Sequence, residues 1–94
     1  MAQASVHRDG ERLVFAGALD RDAVPALWSA ASHTLAGAGV FDLSAVSRVD
    51  SAGLALLAEL AARANGPVID GMPAGLSELR HVYRLSPTLS FTRA

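Results

Sequence analysis

The spacing of apolar residues along the chain predicts four strands and three helices in the order β-β-α-β-α-β-α. Strand-like runs, which are short and either alternating or wholly apolar, cover residues 3–8, 12–18, 40–43 and 68–70. Helix-like segments, in which apolar residues recur at steps of three and four, cover residues 22–36, 51–64 and 74–85. This order of elements is typical of an α/β domain.

The four strands are expected to form one mixed sheet. The first two flank an Asp-Gly-Glu turn at residues 9–11, so they are predicted to form an antiparallel hairpin. The third and fourth are joined through a helix, and such a unit runs parallel with a right-handed crossover. In the second strand, Leu13 and Phe15 alternate with Val14 and Ala16, so both of its faces are apolar. We therefore predict a four-stranded sheet flanked by three helices, with one sheet face only thinly covered.

Turn-forming and capping residues mark the ends of the predicted helices. The segment 19–22 precedes the first helix and is expected to cap it, and Pro25 fits the first turn, where its missing N–H loses no hydrogen bond. A Gly-Ala-Gly sequence at 37–39 ends that helix, and Asn-Gly-Pro at 65–67 ends the central one. Residues 44–48 are polar and are predicted to connect the third strand to the central helix.

Apolar residues outside the central helix have two further expected roles. Trp28, the single tryptophan, either anchors the first helix in the core or lies at the edge of the fold and is shared with a partner. The fourth strand is expected to be buried, and the last helix is expected to bury Leu76, Leu79, Val82 and Tyr83. The conformation of the tail at 86–94 stays open.

The stretch at residues 40–64 carries the most specific pattern. Asp50 and Ser51 are both good N-cap residues, because their side-chain oxygens accept from the unpaired N–H groups of a first helical turn. Only one of them can be the cap, and if it is Asp50, the Ser51 hydroxyl lies at the first helical position. Gly53 inside the first turn costs up to about 1 kcal/mol relative to alanine. Its presence predicts the close approach of another backbone.

The central helix has two unlike faces. Its predicted core face consists of Leu54, Leu57, Leu60, Ala61 and Ala64, with Gly53 and Leu56 near the edge. The opposite face is a strip of small residues, namely Ser51, Ala55, Ala58 and Ala62. Glu59 and Arg63 lie along the flank of this strip. The alanines either serve only as helix formers or offer a smooth surface on which a partner can lie close, and composition leaves both interpretations open.

Residues 42–57 resemble the signature of STAS domains, the fold of bacterial anti-sigma factor antagonists; they read Asp-Leu-Ser-Ala-Val-Ser-Arg-Val-Asp-Ser-Ala-Gly-Leu-Ala-Leu-Leu. In the regulatory branch of that family the motif is Asp-Ser-(Ser/Thr)-Gly, and a partner kinase phosphorylates the second hydroxyl residue. This chain has Ala52 at that position. It keeps Ser51, which makes it more similar to the STAS subunits of Mla-type phospholipid-transport ABC complexes.

The resemblance covers nearly the whole chain and implies a single STAS domain over residues 1–94. The implied function is that of a non-catalytic subunit that binds the ATPase of the ABC complex and supports its assembly and activity, in the maintenance of outer-membrane lipid asymmetry. The implied partner-binding residues are Ser51, Ala52, Ala55, Ala58, Glu59 and Ala62. Asp20, Asp22 and Asp50 are implied at the rim, but we favour a role as helix caps for the first two and a structural role for the third.

Two other functions stay open at this point. A signalling switch would sequester an anti-sigma kinase and be released by phosphorylation; Ala52 removes the usual acceptor, but a helix N-terminus would stabilise a phosphate on Ser51. A free-standing ligand-binding domain has no pocket signature in its favour. Ser51 also has a purely structural interpretation as a cap, in which case its loss to alanine costs about 1 kcal/mol and leaves function intact.

Length and composition narrow these choices. The 94 residues suffice for one small domain, and the absence of cysteine excludes disulfides and thiolate metal sites. A formal net charge of −1 argues against a nucleic-acid partner. No run reaches the roughly 18 apolar residues of a membrane span, and the N-terminus is too polar for a signal peptide. We expect a cytoplasmic protein that is peripheral to the inner membrane through its complex, without a cofactor or small-molecule ligand.

Patterns for catalysis and ligand binding are weak throughout. Ser51, either His33 or His81, and an aspartate can be drawn as a triad, but the sequence has no Gly-x-Ser-x-Gly elbow. No two histidine or carboxylate ligands share a helix face at i, i+4 with a third nearby, so no metal site is predicted. The glycines at 37–39 precede a strand, whereas a phosphate loop links a strand to a helix. The sequence therefore predicts a protein-binding module and not an enzyme.

Overall fold

The computed structural model describes residues 4–83, and their elements follow the predicted order. The strands are β1 (Ser5–Asp9), β2 (Arg12–Leu19), β3 (Val40–Val49) and β4 (Val68–Asp70). The helices are α1 (Val24–Ser32), α2 (Ser51–Arg63) and α3 (Leu76–Val82). The tail at 86–94 lies outside the described residues.

The strands form one mixed sheet in the order β1-β2-β3-β4, as predicted. β1 pairs antiparallel with β2 through the turn at Gly10, whose φ of 61° is in the left-handed region that favours glycine. β2 pairs parallel with β3, and β3 pairs parallel with β4. The two parallel connections pass through α1 and α2 and lead in the same direction across the sheet. Right-handed crossovers therefore place both helices on the same sheet face.

The hydrophobic core lies between that sheet face and the helices. Leu13 and Phe15 of β2 are fully buried there, and the Phe15 ring packs against the Phe41 ring with centroids 5.5 Å apart. On the helix side, the core is completed by four leucines of α2, namely Leu54, Leu56, Leu57 and Leu60. On the opposite face, Val14 and Ala16 are only half-buried, so the predicted thin cover is confirmed. Within residues 4–83, no helix has the length and apolar character needed to cross a membrane.

The prediction that residues 44–48 form a polar connector was wrong, because β3 continues through them. The pairing of β3 with β2 contains two irregularities, each of which places one extra residue on β3. One follows the Val14–Asp42 pair, and the other follows the Gly17–Val46 pair. The inward-facing side chains of β3 are consequently spaced two, three and three residues apart, at Phe41, Leu43, Val46 and Val49. Because of this spacing, residues 44–48 do not show the apolar–polar alternation by which a strand is recognised in a sequence.

Helix α1 is shorter than the predicted range 22–36, because it ends at Ser32. A side chain of β1 binds the segment that follows it. Arg8 of β1 donates from its Nη1 to the carbonyl oxygens of Thr34, at 2.5 Å, and Ala36, at 2.9 Å. These are charge-assisted hydrogen bonds to carbonyl groups just past the helix. They hold this segment in a turn before β3.

The C-terminal part of the described chain is more exposed than predicted. β4 is an edge strand in which Val68 is 62% exposed, so the prediction of a buried strand was wrong. In α3, Leu76 is buried and Leu79 is half-buried, but Val82 and Tyr83 are 68% and 46% exposed, contrary to prediction. The helix reaches only from Leu76 to Val82 instead of 74–85. Its first turn makes the core contact, and Val82 and Tyr83 lie at the far end.

Candidate functional site

The junction between β3 and α2 is built on Asp50. This residue has an extended backbone, with φ −99° and ψ −175°, and its Oδ1 accepts the N–H of Gly53 at 2.8 Å. Asp50 is therefore the N-cap, and the prediction that it holds first-turn amides is confirmed. Ser51 occupies the first helical position and is exposed. The alternative in which Ser51 is the helix cap was wrong.

The second carboxylate oxygen of Asp50 reaches a different element. Its Oδ2 accepts the N–H of Arg21 at 3.2 Å, in the loop between β2 and α1. The amide of Gly53 is the main cause that lowers the pKa of Asp50, against desolvation, and the amides of Arg21 and Ala52 lower it further. The charged carboxylate thus connects the first turn of α2 to the loop at residues 20–23.

The backbone of β2 also touches the first turn of α2. A Cβ atom added to Gly53 would lie 1.9 Å from the carbonyl oxygen of Leu19, which leaves no space for any side chain. The same carbonyl accepts the N–H of Asp50 at 3.2 Å. The close backbone approach predicted from Gly53 is confirmed. It brings the end of β2, and hence the loop that follows, beside the start of α2.

The strip of small residues on α2 is narrower than predicted. Ser51, Ala55 and Ala62 are exposed, whereas Ala52 and Ala58 are half-buried. At 3.6 residues per turn, Ala58 lies only about 40° around the helix from Leu54, so it leans towards the core. The expectation that Ala58 lies squarely on the outward face was wrong. The open part of the strip is formed by Ser51, Ala55 and Ala62.

A charged and aromatic cluster borders the strip at the C-terminal half of α2. Glu59 Oε1 accepts from Arg63 Nε at 3.2 Å, and both side chains are more than half exposed. The Arg63 guanidinium lies 4.9 Å from the centroid of the Trp28 ring, within cation–π distance. Trp28 is half-buried and packs against the core. It therefore anchors α1, as predicted, and is also partly exposed, whereas contact of its ring with a partner stays a prediction.

A polar cleft of about 300 Å³ opens at the start of α2, and it is lined by Asp20, Arg21, Asp22, Arg48 and Asp50. The three predicted rim residues are thus brought together. Asp20 pairs with Arg48 at 3.0 Å and also accepts the N–H of Ala23 at 3.1 Å. The N-cap of α1 is Ala23, which makes no side-chain cap hydrogen bond, so Asp22 does not cap this helix. Asp20 accepts the N–H of the N-cap residue from three positions earlier.

Sequence reasoning missed Arg21 and Arg48 as members of this cleft. Each is within two residues of a predicted rim aspartate in the sequence, which was the available signal. Arg48 was assigned to a connector, however, and only the full length of β3 brings its side chain beside Asp20. The cleft therefore depends on the extension of β3 through residues 44–48, which could not be recognised because the apolar residues of this strand do not alternate regularly.

Other chemistry considered from the sequence is dispersed in the fold. His33 lies at the end of α1, with Nδ1 2.7 Å from the carbonyl oxygen of Ser29, and His81 is exposed on α3. Neither histidine has a hydrogen bond to Ser51 within residues 4–83. No group of three or more histidine, aspartate or glutamate side chains in this part of the chain is arranged to hold a metal ion. The residues at 37–39 form the turn between α1 and β3.

Comparison with known families gives a match over most of the chain. A family model described as "Mlab, STAS domain" matches residues 3–89. Two proteins named intermembrane phospholipid transport system binding protein MlaB, from Escherichia coli (strain K12) and Shigella flexneri, are each 45% identical over 51 residues. These alignments cover 54% of this chain and 53% of each relative. The match thus spans about half the length of these relatives.

Comparison with solved structures supports the fold. The anti-sigma factor antagonist SpoIIAA in its unphosphorylated form superposes with a TM-score of 0.55, covering 97% of this chain and 88% of the other, at 21% identity. At this identity the likeness concerns the fold alone. The predicted α/β arrangement, a mixed four-stranded sheet with three helices, is confirmed.

Proposed function

This chain belongs to the MlaB-like STAS-domain family, and from that premise we propose that it is a non-catalytic subunit of an Mla-type phospholipid-transport ABC complex. In this role it binds the cytoplasmic ATPase subunit, supports its assembly and activity, and so contributes to outer-membrane lipid asymmetry. The observation that carries the proposal is the 45% identity to proteins named MlaB. Membrane association arises only through the complex.

The surface that we assign to the ATPase is the start and outward face of α2. Ser51, Ala55 and Ala62 are exposed there with no side chain larger than a methyl or hydroxymethyl group. Small side chains allow a second helix or loop to approach closely, because interaxial distance depends on the residues at the contact. Ala52, Ala58 and Glu59 border this face. Asp20, Asp22 and Asp50 form its polar rim in the cleft.

The mechanism is a shift of population in the ATPase. A bound module stabilises whichever ATPase conformation it binds best, and it can shift the equilibrium only by the difference in its affinity for the two conformations. A rigid sheet and a capped helix suit this role, because a preformed surface loses little conformational freedom on binding. No reaction is required of the module itself.

The second candidate is an anti-sigma factor antagonist, and the fold likeness to SpoIIAA favours it. Such a protein would bind a kinase through the same end of α2 and leave it on phosphorylation. Ala52 offers no acceptor hydroxyl at the position that the regulatory branch uses. Ser51 is exposed at the helix N-terminus, where phosphate is stabilised, and is the alternative acceptor.

Affinity purification of the tagged protein from its own host tests both candidates. Wild type is compared with Ser51→Arg, which places a large charged side chain on the assigned face. The matched control is Ser77→Arg, because Ser77 is also an exposed serine in the first turn of a helix. Both variants suffer the same unfavourable placement of positive charge near a helix N-terminus. We expect Ser51→Arg to weaken binding of the ATPase by on the order of tenfold or more.

The identity of the recovered partner decides between the candidates. Recovery of an ABC ATPase with wild type and Ser77→Arg, but not with folded Ser51→Arg, supports the transport role and locates the face. Recovery of a small kinase instead, together with phosphate on Ser51, supports the switch. An ATPase recovered equally with all three proteins contradicts the assigned surface.

A further inference from the structure

The surface assigned to the partner is made of two elements that are distant in sequence. One is α2, from its first turn along its outward face, and the other is the loop at residues 20–23 between β2 and α1. The loop contributes Asp20, Arg21 and Asp22 to the cleft, and it belongs to no strand. Its position beside α2 must therefore be held by contacts outside the sheet ladder.

Besides the backbone contacts of Leu19 at the start of the loop, two side-chain contacts hold the loop across the cleft. The first is the ion pair between Asp20 and Arg48, at 3.0 Å, in which the Arg48 side chain is 57% exposed. Exposed ion pairs of this kind contribute little. The second is the hydrogen bond from the Arg21 N–H to Oδ2 of Asp50. Its acceptor is a charged, half-buried carboxylate that is fixed by its other oxygen on Gly53, so it is the stronger restraint.

We infer that Asp50 is a positioning residue for partner binding: its carboxylate holds the 20–23 loop against the start of α2, so that both halves of the docking surface are presented together before the partner arrives. The inference rests on the proposed docking surface and adds to it the residue that sets its geometry. Without this bond the loop samples other positions. The apparent affinity then falls in proportion to the fraction of molecules in which the loop is correctly placed.

The substitution Asp50→Asn separates this role from helix capping. Asparagine is as good an N-cap as aspartate, so its carbonyl oxygen can still accept from Gly53. Its amide group would then face the N–H of Arg21, and two donors cannot bond. Asp42→Asn is the matched control, because Asp42 also accepts hydrogen bonds on both carboxylate oxygens, but they come from Ser44 and Arg12, near the opposite end of β3.

The free protein tests the bridge directly. In an acid titration followed by NMR, the amide protons of Arg21 and Gly53 should shift with one common midpoint, below the ordinary range for aspartate, because they report on the same carboxylate. The component with this common midpoint should vanish from both amides in Asp50→Asn and persist in Asp42→Asn. An Arg21 amide that does not follow that of Gly53 would overturn the inference.

Binding to the ATPase recovered with wild type tests the consequence. We expect Asp50→Asn to bind on the order of tenfold more weakly, mainly through a slower association rate, while its thermal midpoint stays near that of wild type and Asp42→Asn binds normally. Wild-type affinity in Asp50→Asn overturns the positioning role and leaves the proposed function standing. Absence of any ATPase with wild type removes both.

Discussion

The two ends of β3 are each held by an aspartate, yet the two carboxylates connect different kinds of structure. Asp42 accepts from the backbone and hydroxyl of Ser44 and pairs with Arg12, which also reaches Asp70. All of these partners belong to strands that backbone ladders already join or lie within β3 itself. Asp50 instead connects a helix to a loop that lies outside the ladder.

This difference shows where side-chain hydrogen bonds matter most. At the Asp42 end they add to a framework that the sheet already fixes, and the Arg12 side chain shared by both ion pairs is 41% exposed, which weakens these pairs. At the Asp50 end, the carboxylate and the Leu19–Gly53 backbone contact determine how three elements meet. Substitution of the carboxylate or of the contacting glycine at the Asp50 end should therefore cost more stability than the matching change near Asp42, and the difference in free energy of unfolding tests the comparison.

The largest expected effect on stability is from a methyl group added at Gly53, in the first turn of α2. Gly53→Ala places a Cβ 1.9 Å from the Leu19 carbonyl oxygen, so the helix must move, and we expect a loss of about 3 kcal/mol in the free energy of unfolding. Gly39→Ala is the control immediately before β3, because no atom lies within 4 Å of its added Cβ and its φ is not in the left-handed region. It should be neutral or stabilising by a few tenths of a kcal/mol. Urea denaturation of both variants measures this; equal stability would contradict the close contact.

An intermediate effect is expected from removing each carboxylate. Asp50→Ala loses the helix cap and should cost about 1 kcal/mol at neutral pH, and Asp42→Ala should cost about half of that, because its main donor, Ser44, is exposed. Both aspartates have a lowered pKa, Asp42 through Ser44 first and Asp50 through Gly53 first.

The sign of the pH dependence follows from these shifts. A carboxylate whose pKa is lower in the folded protein contributes stability that is fully present above the ordinary value, about 3.9. This contribution is lost as the pH falls through the folded value. The deficit of Asp50→Ala relative to wild type should therefore shrink below about pH 4. Denaturation at a series of pH values checks this, and a deficit that stays constant into acid would contradict the charged cap.

The smallest effect is expected at two exposed serines. The Ser44 hydroxyl donates to Asp42 Oδ1 at 2.6 Å, so Ser44→Ala should lose roughly 0.5 kcal/mol. Ser51 has no side-chain hydrogen bond within residues 4–83, so Ser51→Ala should change stability by less than about 0.5 kcal/mol. Partner binding should be sensitive at Ser51 and not at Ser44. Thermal unfolding alongside a binding assay separates the two serines, and a greater stability loss at Ser51 than at Ser44 would contradict the hydrogen bond assigned to Ser44.

Local sequence was sufficient to predict α2 and its junction. Composition, the adjacent cap residues and an unexplained glycine all act within a few residues, so Asp50 as a structural residue and the close approach at Gly53 could be inferred. The hairpin and the mixed sheet followed for the same reason, because turn residues and crossover handedness are local or general rules.

Features that depend on distant partners could not be predicted. Arg8 binds the segment after α1 from a neighbouring strand, and no spacing in the sequence connects it with Thr34 or Ala36. Arg48 lines the cleft because it belongs to β3. The two extra residues of β3 break the regular alternation, so the sequence did not indicate a strand there. At the last helix, apolar spacing predicted a buried face, but burial is decided by how far the neighbouring elements extend. The partner-binding residues stay a prediction.

The irregular spacing in β3 also governs how the strand finds its place. A regular strand can slide by two residues along its neighbour and still show the same faces, which permits misaligned pairings during folding. β3 has inward side chains at steps of two, three and three, so a shifted alignment with β2 turns part of its apolar set outward. Only one alignment buries Phe41, Leu43, Val46 and Val49 together. The two irregularities therefore link burial of the β3 side chains to a single alignment of β3 on β2.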